Sequence, residues 1–383
     1  MNKDGGLSHK LHGLDYLRAF AIIFVFFFHY GRLFPHPEWV NAISEFGWSG
    51  VDLFFVLSGY LIASQLFSSI AKQNEISLKE FFIKRFFRII PIYLFVVALY
   101  FLFPFTHERE ALAPLWKYLT FTQNIGLNVS TQGTFSHAWS LCIEEQFYLF
   151  LPLILIALVY FKLLKKGFWI LILLFIFGFI IRAFCYQHFV LPAGDDSWLP
   201  WYKYIYYPTW SRLDGLLVGV SIAALLQFKQ KFSERILKHG NKILIVAVLI
   251  FAGTYFIFSQ QESLSASVFG FPLTDIGYGV IVLAALSPQC FLYKYKSSVT
   301  SKIAALSYGI YLIHKIVIHV TQTQAIKFKI DDSSNVVFLI CIVTVFIVSL
   351  LLNEIIEKPF LKLRKKILSR KNKKEKKVIV IAG

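Results

Sequence analysis

The sequence contains little cysteine and few acidic residues. Its 383 residues include four cysteines, scattered in or beside apolar segments without a CxxC spacing. Neither a disulfide framework nor a metal site is therefore expected. Lysine and arginine total 39, against 22 aspartate and glutamate. Because these basic residues are spread over short loops and a tail, they indicate membrane topology rather than nucleic-acid binding.

The sequence also lacks a cleavable signal peptide and an internal repeat. Its first apolar segment is long, carries charge and has no small-residue cleavage site, so it is expected to stay in the protein. Without a 20–50-residue repeat or inverted halves, many transporter folds are disfavoured. Apolar residues are abundant at 57%, whereas soluble domains contain about 45–50%. This composition predicts an all-α, polytopic membrane protein.

About ten segments reach the roughly 20 apolar residues that a helix needs to cross a bilayer. They are 14–34, 46–67, 89–105, 138–161, 168–187, 207–227, 243–258, 271–290, 303–321 and 335–356. Lysine and arginine concentrate in the loops on one side, which predicts that both termini are cytoplasmic. Residues 1–360 are expected to form the membrane domain. The basic tail 361–383 is expected to lie on anionic lipid or in the cytosol.

Charged residues within the first predicted helix indicate a functional site. In "GLDYLRAFAIIFVFFFHYGRLF", Arg18 and His29 lie about 20° apart around the helix and about 16 Å apart along it. A charge in hydrocarbon costs at least about 2.5 kcal/mol, so such groups should face a cavity or one another. Arg85 and Arg88 lie just before the third predicted helix, near the cytoplasmic end where Arg18 lies. These three guanidinium groups suit phosphates. Arg18 could instead snorkel at the cytoplasmic interface, and Arg85 and Arg88 could be ordinary positive-inside residues.

A second set of polar residues lies near the predicted outer ends of other helices. The set comprises Asp52, Trp139, Ser140, Glu144, Glu145, Arg212, Asp214, Tyr311 and His314. Because their depth is similar to that of His29, we expect them to surround a shared polar cavity. An imidazole with a carboxylate nearby is the minimum for an oriented general base. We therefore assign catalysis to His29, Glu144 and Asp52, with the remaining residues binding the acceptor or supporting the site.

Glu144 is the favoured partner of His29. Ser140, Glu144 and Tyr148 repeat at i, i+4 and i+8, which predicts a polar stripe on one helix face. Glu145 points about 100° away from that stripe.

Several of these residues also allow structural interpretations. Asp52 could cap its helix at the amino end. Arg212 and Asp214 are two residues apart and do not share a helix face, so each is expected to bond to other helices. His314 could bind substrate or serve packing. Gly59 is expected to permit close helix approach rather than to act in catalysis.

The residues discussed above lie in motifs that resemble one known family. The motifs are "LDYLRAFAIIFVFFFHY", "GVDLFFVLSGYLI", "RFFRIIPIY", "HAWSLCIEEQFYLFLP", "RLDGLLVG", "LSYGIYLIH" and "EKPF", in this order from Leu14 to Phe360. The chain resembles acyltransferase family three, the membrane O-acyltransferases that modify bacterial surface glycans and related acceptors. Its Arg-x10-His motif corresponds to Arg18 and His29, and its Arg-x-x-Arg motif to Arg85 and Arg88.

This resemblance implies a substrate pair and a cellular location. The donor would be acyl-CoA, usually acetyl-CoA, acting as a co-substrate on the cytoplasmic side, with no permanently bound cofactor. The acceptor would be a hydroxyl of a glycan or lipid-linked sugar at the outer face of a bacterial cytoplasmic membrane. Many relatives carry a fused hydrolase-like domain after the membrane part, whereas here a basic tail follows Phe360. A stand-alone transferase is therefore expected, with loops 106–137 and 188–206 contacting the acceptor.

Two other functions remain compatible with the sequence. Intramembrane His, Asp and Glu also suit a proton-coupled transporter or flippase for a glycan or glycolipid. A polysaccharide-export scaffold without chemistry would leave the buried charges unexplained. The arginine group near the cytoplasmic end favours the transferase. Within that function, His29 could act as a general base or carry the acyl group itself.

Overall fold

The computed structural model is built from helices. It describes the backbone of residues 12–73 and 76–381, and the side chains of residues 12–72 and 76–370. Every regular element in these ranges is a helix, which confirms the all-α prediction. The long helices are α1 (His12–Leu33), α2 (Gly50–Gln73), α3 (Leu78–Leu102), α4 (Trp139–Tyr160), α5 (Gly167–Cys185), α6 (Asp214–Phe228), α7 (Gly240–Ile257), α8 (Phe271–Leu286), α9 (Ser298–Lys327), α10 (Asn335–Leu352) and α11 (Lys358–Ile381). Shorter helices are Trp39–Ser44, Leu115–Leu119, Trp198–Trp201, Gln230–Leu237 and Phe291–Lys294, with 3-10 and π turns between elements.

Among the described residues, nine helical segments are long and apolar enough to cross a membrane. The sixth predicted span, 207–227, is the exception and requires a correction. Its helix begins only at Asp214 and has 15 residues, because Pro208 and a 3-10 turn at Thr209–Ser211 precede it. At 1.5 Å per residue it is about 22 Å long, shorter than the roughly 30 Å hydrocarbon core. The cytoplasmic location of both termini stays a prediction.

The third helix begins earlier than the sequence predicted. It starts at Leu78 rather than near residue 89, and the Ser77 hydroxyl caps it by accepting from the Glu80 N–H. Arg85 and Arg88 therefore lie within α3, not just before it. A helical backbone fixes both guanidinium groups on a rigid element.

Two glycines allow α2 and α6 to pack at close range. A Cβ atom added to Gly59 would lie 2.2 Å from the Leu216 carbonyl oxygen. One added to Gly219 would lie 2.2 Å from the Val56 carbonyl oxygen. Both distances are far below a van der Waals contact, so only glycine fits at the crossing. The packing role predicted for Gly59 is confirmed.

The basic tail continues as helix α11 against the start of α3. Arg364 Nη1 donates to the Lys84 carbonyl oxygen at 3.4 Å. Residues 382–383 of the predicted tail and residues 1–11 and 74–75 of the predicted membrane domain lie outside the described residues.

Candidate active site

A polar cavity of about 330 Å³ lies within the helix bundle. Helices α1, α2, α3, α4 and α9 all contribute to its lining. Its polar lining residues are Arg18, Ser58, Gln65, Arg85, Arg88, Ser140, Glu144, Glu145, Tyr148, Ser307, Tyr308 and Tyr311. The cavity therefore brings together residues that are up to about 290 positions apart in the sequence. Such convergence of polar groups in a concave site is typical of a ligand pocket.

The three predicted donor-binding arginines all line this cavity. Arg85 Nη2 donates to Gln65 Oε1 at 3.3 Å. Arg88 forms an ion pair with Glu357, which is buried and also accepts from Asn353 Nδ2 at 3.0 Å. Glu357 belongs to the "EKPF" motif, to which sequence reasoning assigned no role. This carboxylate holds Arg88 at the cavity while the arginine stays one-third exposed.

The predicted polar stripe on α4 forms part of the cavity wall. Tyr148 donates to Glu144 Oε2 at 2.7 Å. Ser140 Oγ lies 2.6 Å from the Tyr311 hydroxyl, which donates to the His137 carbonyl oxygen, also at 2.6 Å. Since a tyrosine has one hydroxyl proton, Ser140 is the donor to Tyr311. Tyr311 thus connects the cavity to a second group of residues.

That second group is a cluster of three imidazoles from His29, His137 and His314. The ring centroid of His29 lies 4.9 Å from that of His314 and 5.6 Å from that of His137. His314 Nε2 lies 3.0 Å from His29 Nδ1. His314 is fully buried, whereas His29 keeps 9% of its surface exposed. The sequence predicted a similar depth for His29 and His314, and the two rings are in contact. Neither belongs to the described lining of the cavity that both were expected to share, which corrects that expectation.

The predicted pairing of His29 with Glu144 is wrong. Hydrogen bonds join His29 to His314 and to the Val25 carbonyl oxygen, and join Glu144 to Tyr148. Depth explains the difference, because Glu144 lies five residues inside α4, about 7.5 Å beyond its first residue. It therefore faces the arginine side of the cavity, and His137, which precedes α4, lies beside His29. Glu145 lines the same cavity despite its different direction on the helix.

Asp52 lies in a separate network of buried ion pairs. Its Oδ1 is 2.5 Å from Arg212 Nη2, and both side chains are at most 1% exposed. The Arg212 guanidinium lies 3.9 Å from the Phe271 ring centroid and 5.4 Å from that of Trp139. These three predicted site residues, Asp52, Trp139 and Arg212, are absent from the described lining of the cavity. The structure thus corrects the expectation that Asp52 lies at the site of His29.

Asp214 pairs with a residue of another helix, as expected. Arg182 Nη1 lies 2.5 Å from Asp214 Oδ2, and both side chains are at most 2% exposed. Together with Arg212 and Asp52, this pair ties α5, α6 and α2 to one another. Removing one partner of a buried ion pair destabilises the fold, because the remaining charge has neither a counter-charge nor solvent around it.

A further buried ion pair lies beside the imidazole cluster. Lys315 Nζ is 2.7 Å from Glu108 Oε1, and the two side chains are 1% and 0% exposed. Glu108 Oε1 also accepts from the backbone N–H of Phe135 at 3.1 Å. This ion pair links residues 103–138, which we call the covering loop, to α9 next to His314. A lysine inside an apolar helix is a signal by which sequence reasoning could have found this pair.

Fold and cavity together define a polytopic membrane protein with a buried polar site. The chain belongs to acyltransferase family three: the family described as an acyltransferase domain matches residues 11–354. The O-acetyltransferase OatA of Staphylococcus aureus strain NCTC 8325 is 31% identical over 323 residues, which are 79% of this chain and 50% of the relative. The peptidoglycan O-acetyltransferase OatA of Listeria monocytogenes is 32% identical over 330 residues, 80% of this chain and 49% of the relative.

A third similar protein is a putative O-acetyltransferase of Staphylococcus aureus strain COL. It is 30% identical over 372 residues, which are 88% of this chain and 58% of the relative. The chain spans about half the length of the curated OatA relatives that it matches. No solved structure matches the chain.

Proposed function

We propose that this protein transfers an acyl group, most readily acetyl, from cytoplasmic acyl-CoA to a glycan hydroxyl at the outer face of the bacterial cytoplasmic membrane. The observation that carries this proposal is the cavity itself. It has Arg18, Arg85 and Arg88 in its lining, and through Tyr311 it adjoins the imidazole cluster of His29. A cavity with groups for a phosphate-bearing donor thus lies next to a group for proton transfer, with Tyr311 between them.

The arginines support a coenzyme A donor. Guanidinium groups bind phosphate oxygens in a planar, bidentate manner. A volume of about 330 Å³ is at the lower end for small-molecule pockets. It suits the pantetheine arm and its thioester, with the nucleotide held at the mouth of the cavity. This arrangement brings the thioester carbonyl towards His29 without moving coenzyme A across the membrane.

The relatives support a peptidoglycan hydroxyl as the acceptor. The protein from Listeria monocytogenes is named a peptidoglycan O-acetyltransferase. Peptidoglycan lies outside the cytoplasmic membrane, on the side to which the predicted topology assigns the covering loop. We therefore place the acceptor hydroxyl at His29 from that side.

In the direct reaction, His29 acts as a general base. The acceptor oxygen attacks the thioester carbonyl carbon as its proton passes to His29. The C–S bond then breaks, an ester forms, and the coenzyme A thiolate leaves and takes up a proton. In the alternative, a His29 nitrogen attacks the thioester first, and the acyl-histidine is then transferred to the hydroxyl. Both routes give the same products.

Transfer can be measured with purified protein, labelled acetyl-CoA and peptidoglycan fragments. We expect label on the fragments, and a loss of at least about a hundredfold in His29→Ala, because general-base catalysis contributes that much. Acyl-CoA binding should persist in this variant. His239→Ala provides the control, since His239 is exposed and lies outside the described lining of the cavity. A wild-type protein that leaves acetyl-CoA intact, or a fully active His29→Ala, would contradict the proposal.

The two routes separate when the acceptor is omitted. A general base leaves no label on the protein after incubation with labelled acetyl-CoA. An acyl carrier leaves label on His29, which peptide mass spectrometry locates. His29→Ala serves as the blank for this measurement.

A further inference from the structure

His314 is the best-defined partner of His29 and cannot itself touch a substrate. It is fully buried, and it lies on α9, whereas His29 lies on α1. Its only described neighbours by hydrogen bonding are two backbone carbonyls and the His29 ring. Any effect of His314 on the reaction therefore passes through His29.

The backbone fixes which nitrogen of His314 carries the proton. Its Nδ1 lies 3.0 Å from the Ile310 carbonyl oxygen and 2.9 Å from the Tyr311 carbonyl oxygen. Carbonyl oxygens only accept hydrogen bonds, so Nδ1 must be the donor. In the neutral ring the other nitrogen, Nε2, is then an acceptor.

This assignment determines the tautomer of His29. The acceptor Nε2 of His314 lies 3.0 Å from His29 Nδ1, so His29 Nδ1 must carry a proton. The Val25 carbonyl oxygen, 3.0 Å from the same atom, requires the same state. His29 Nε2 is left with its lone pair, and no described protein group bonds to it. His29 also keeps part of its surface exposed, whereas His314 is fully buried.

We infer that His314 is a positioning residue that orients the His29 ring and keeps its Nε2 lone pair free for the acceptor hydroxyl. Val25 lies on the same helix as His29, so its hydrogen bond does not link the His29 ring to another helix. His314 lies on α9, and its hydrogen bond therefore orients the His29 ring relative to the rest of the bundle. When Nε2 takes a proton, Nδ1 still donates to His314, so the same bond serves both states of the ring. This inference rests on the proposed function of His29.

Two substitutions at position 314 distinguish positioning from packing. His314→Phe keeps a ring of similar volume but removes the acceptor for His29 Nδ1. His314→Gln loses the ring but places a carbonyl oxygen near the position of Nε2. If His314 positions His29, transfer should fall about tenfold or more in His314→Phe, the effect of one lost orienting hydrogen bond, and should be higher in His314→Gln. A packing role predicts the reverse order.

The experiment measures transfer and acyl-CoA binding for both variants, beside His29→Ala. Unchanged acyl-CoA binding with Gln more active than Phe supports the inference. An equally or more active Phe variant overturns it, while an inactive His29→Ala leaves the proposed function standing. If His29→Ala is fully active, the proposed function fails and the inference with it.

Nitrogen-15 NMR of histidine-labelled wild-type protein tests the tautomer without any assay of activity. His29→Ala assigns the signal by its disappearance. A protonated Nδ1 and an unprotonated Nε2 on both His29 and His314 support the inference, even if the position-314 variants fail to fold. A proton on Nε2 in the neutral ring overturns it.

Discussion

The buried ion pair of Lys315 and Glu108 allows a quantitative test of how the covering loop is held. Glu108→Gln removes the carboxylate charge while keeping the side-chain size. Lys315 Nζ lies 2.7 Å from Glu108 Oε1, and the two side chains are 1% and 0% exposed. The ammonium group left behind by this substitution would therefore have neither solvent nor a counter-charge.

The expected loss follows from that burial. Removing one partner of a buried pair costs about 3–5 kcal/mol, because the remaining charge is uncompensated. The glutamine carbonyl can still accept from the Phe135 N–H, which bonds to Glu108 Oε1 at 3.1 Å. The change thus isolates the ion pair. Adding Lys315→Met should restore most of the free energy of unfolding, since replacing both charges is often nearly neutral.

Equilibrium unfolding in detergent, followed by tryptophan fluorescence, measures these free energies. Glu110→Gln is a matched control two residues away, where the pair with Arg109 is 3.4 Å long and exposed. We expect that control to have little effect. A loss below about 1 kcal/mol in Glu108→Gln, or a double variant as unstable as the single one, would refute the reasoning.

Two further predictions concern the donor site and the helix crossing. Arg85→Ala should weaken acyl-CoA binding about tenfold by removing one charged phosphate contact. Calorimetry measures this binding beside Arg235→Ala, which changes an exposed arginine outside the cavity lining. Equal affinity in the two variants would contradict the donor assignment. Gly59→Ala should sharply reduce the yield of folded protein, because the added Cβ lies 2.2 Å from a backbone oxygen. Gly253→Ala, whose nearest contact is 3.9 Å, should fold normally; equal yields would refute the close approach.

Helical periodicity and depth predicted much of the site. The eleven-residue spacing predicted one helix face with Arg18 near the cytoplasmic end and His29 near the outer end, and in the structure Arg18 lines the cavity while His29 lies in the imidazole cluster. The stripe of Ser140, Glu144 and Tyr148 lines the cavity as predicted. These successes share a cause, because position along a membrane helix converts directly into depth.

Partner choice could not be predicted in the same way. Asp52 and Glu144 both lay near the expected depth of His29, yet they bond to Arg212 and Tyr148. Which groups meet depends on how each helix is rotated and on where the irregular segments fold. The covering loop supplies His137 and Glu108, and no periodic pattern fixes the position of a loop. The start of the sixth predicted span was placed too early because Pro208 and the 3-10 turn at Thr209–Ser211 precede the helix, which begins at Asp214.

The ion pair of Asp52 and Arg212 imposes an order on biogenesis. Its partners are 160 residues apart in the sequence, and at roughly 5–20 residues per second Arg212 is synthesised about 8 to 32 s after Asp52. During that interval an ionised Asp52 near the bilayer centre would cost about 2.5–3.5 kcal/mol. Asp52 lies in the first turn of α2, so it can remain at the lipid–water interface while it waits. The ion pair that links α2 to the start of α6 can therefore form only after Arg212 has been synthesised, late relative to the insertion of α2.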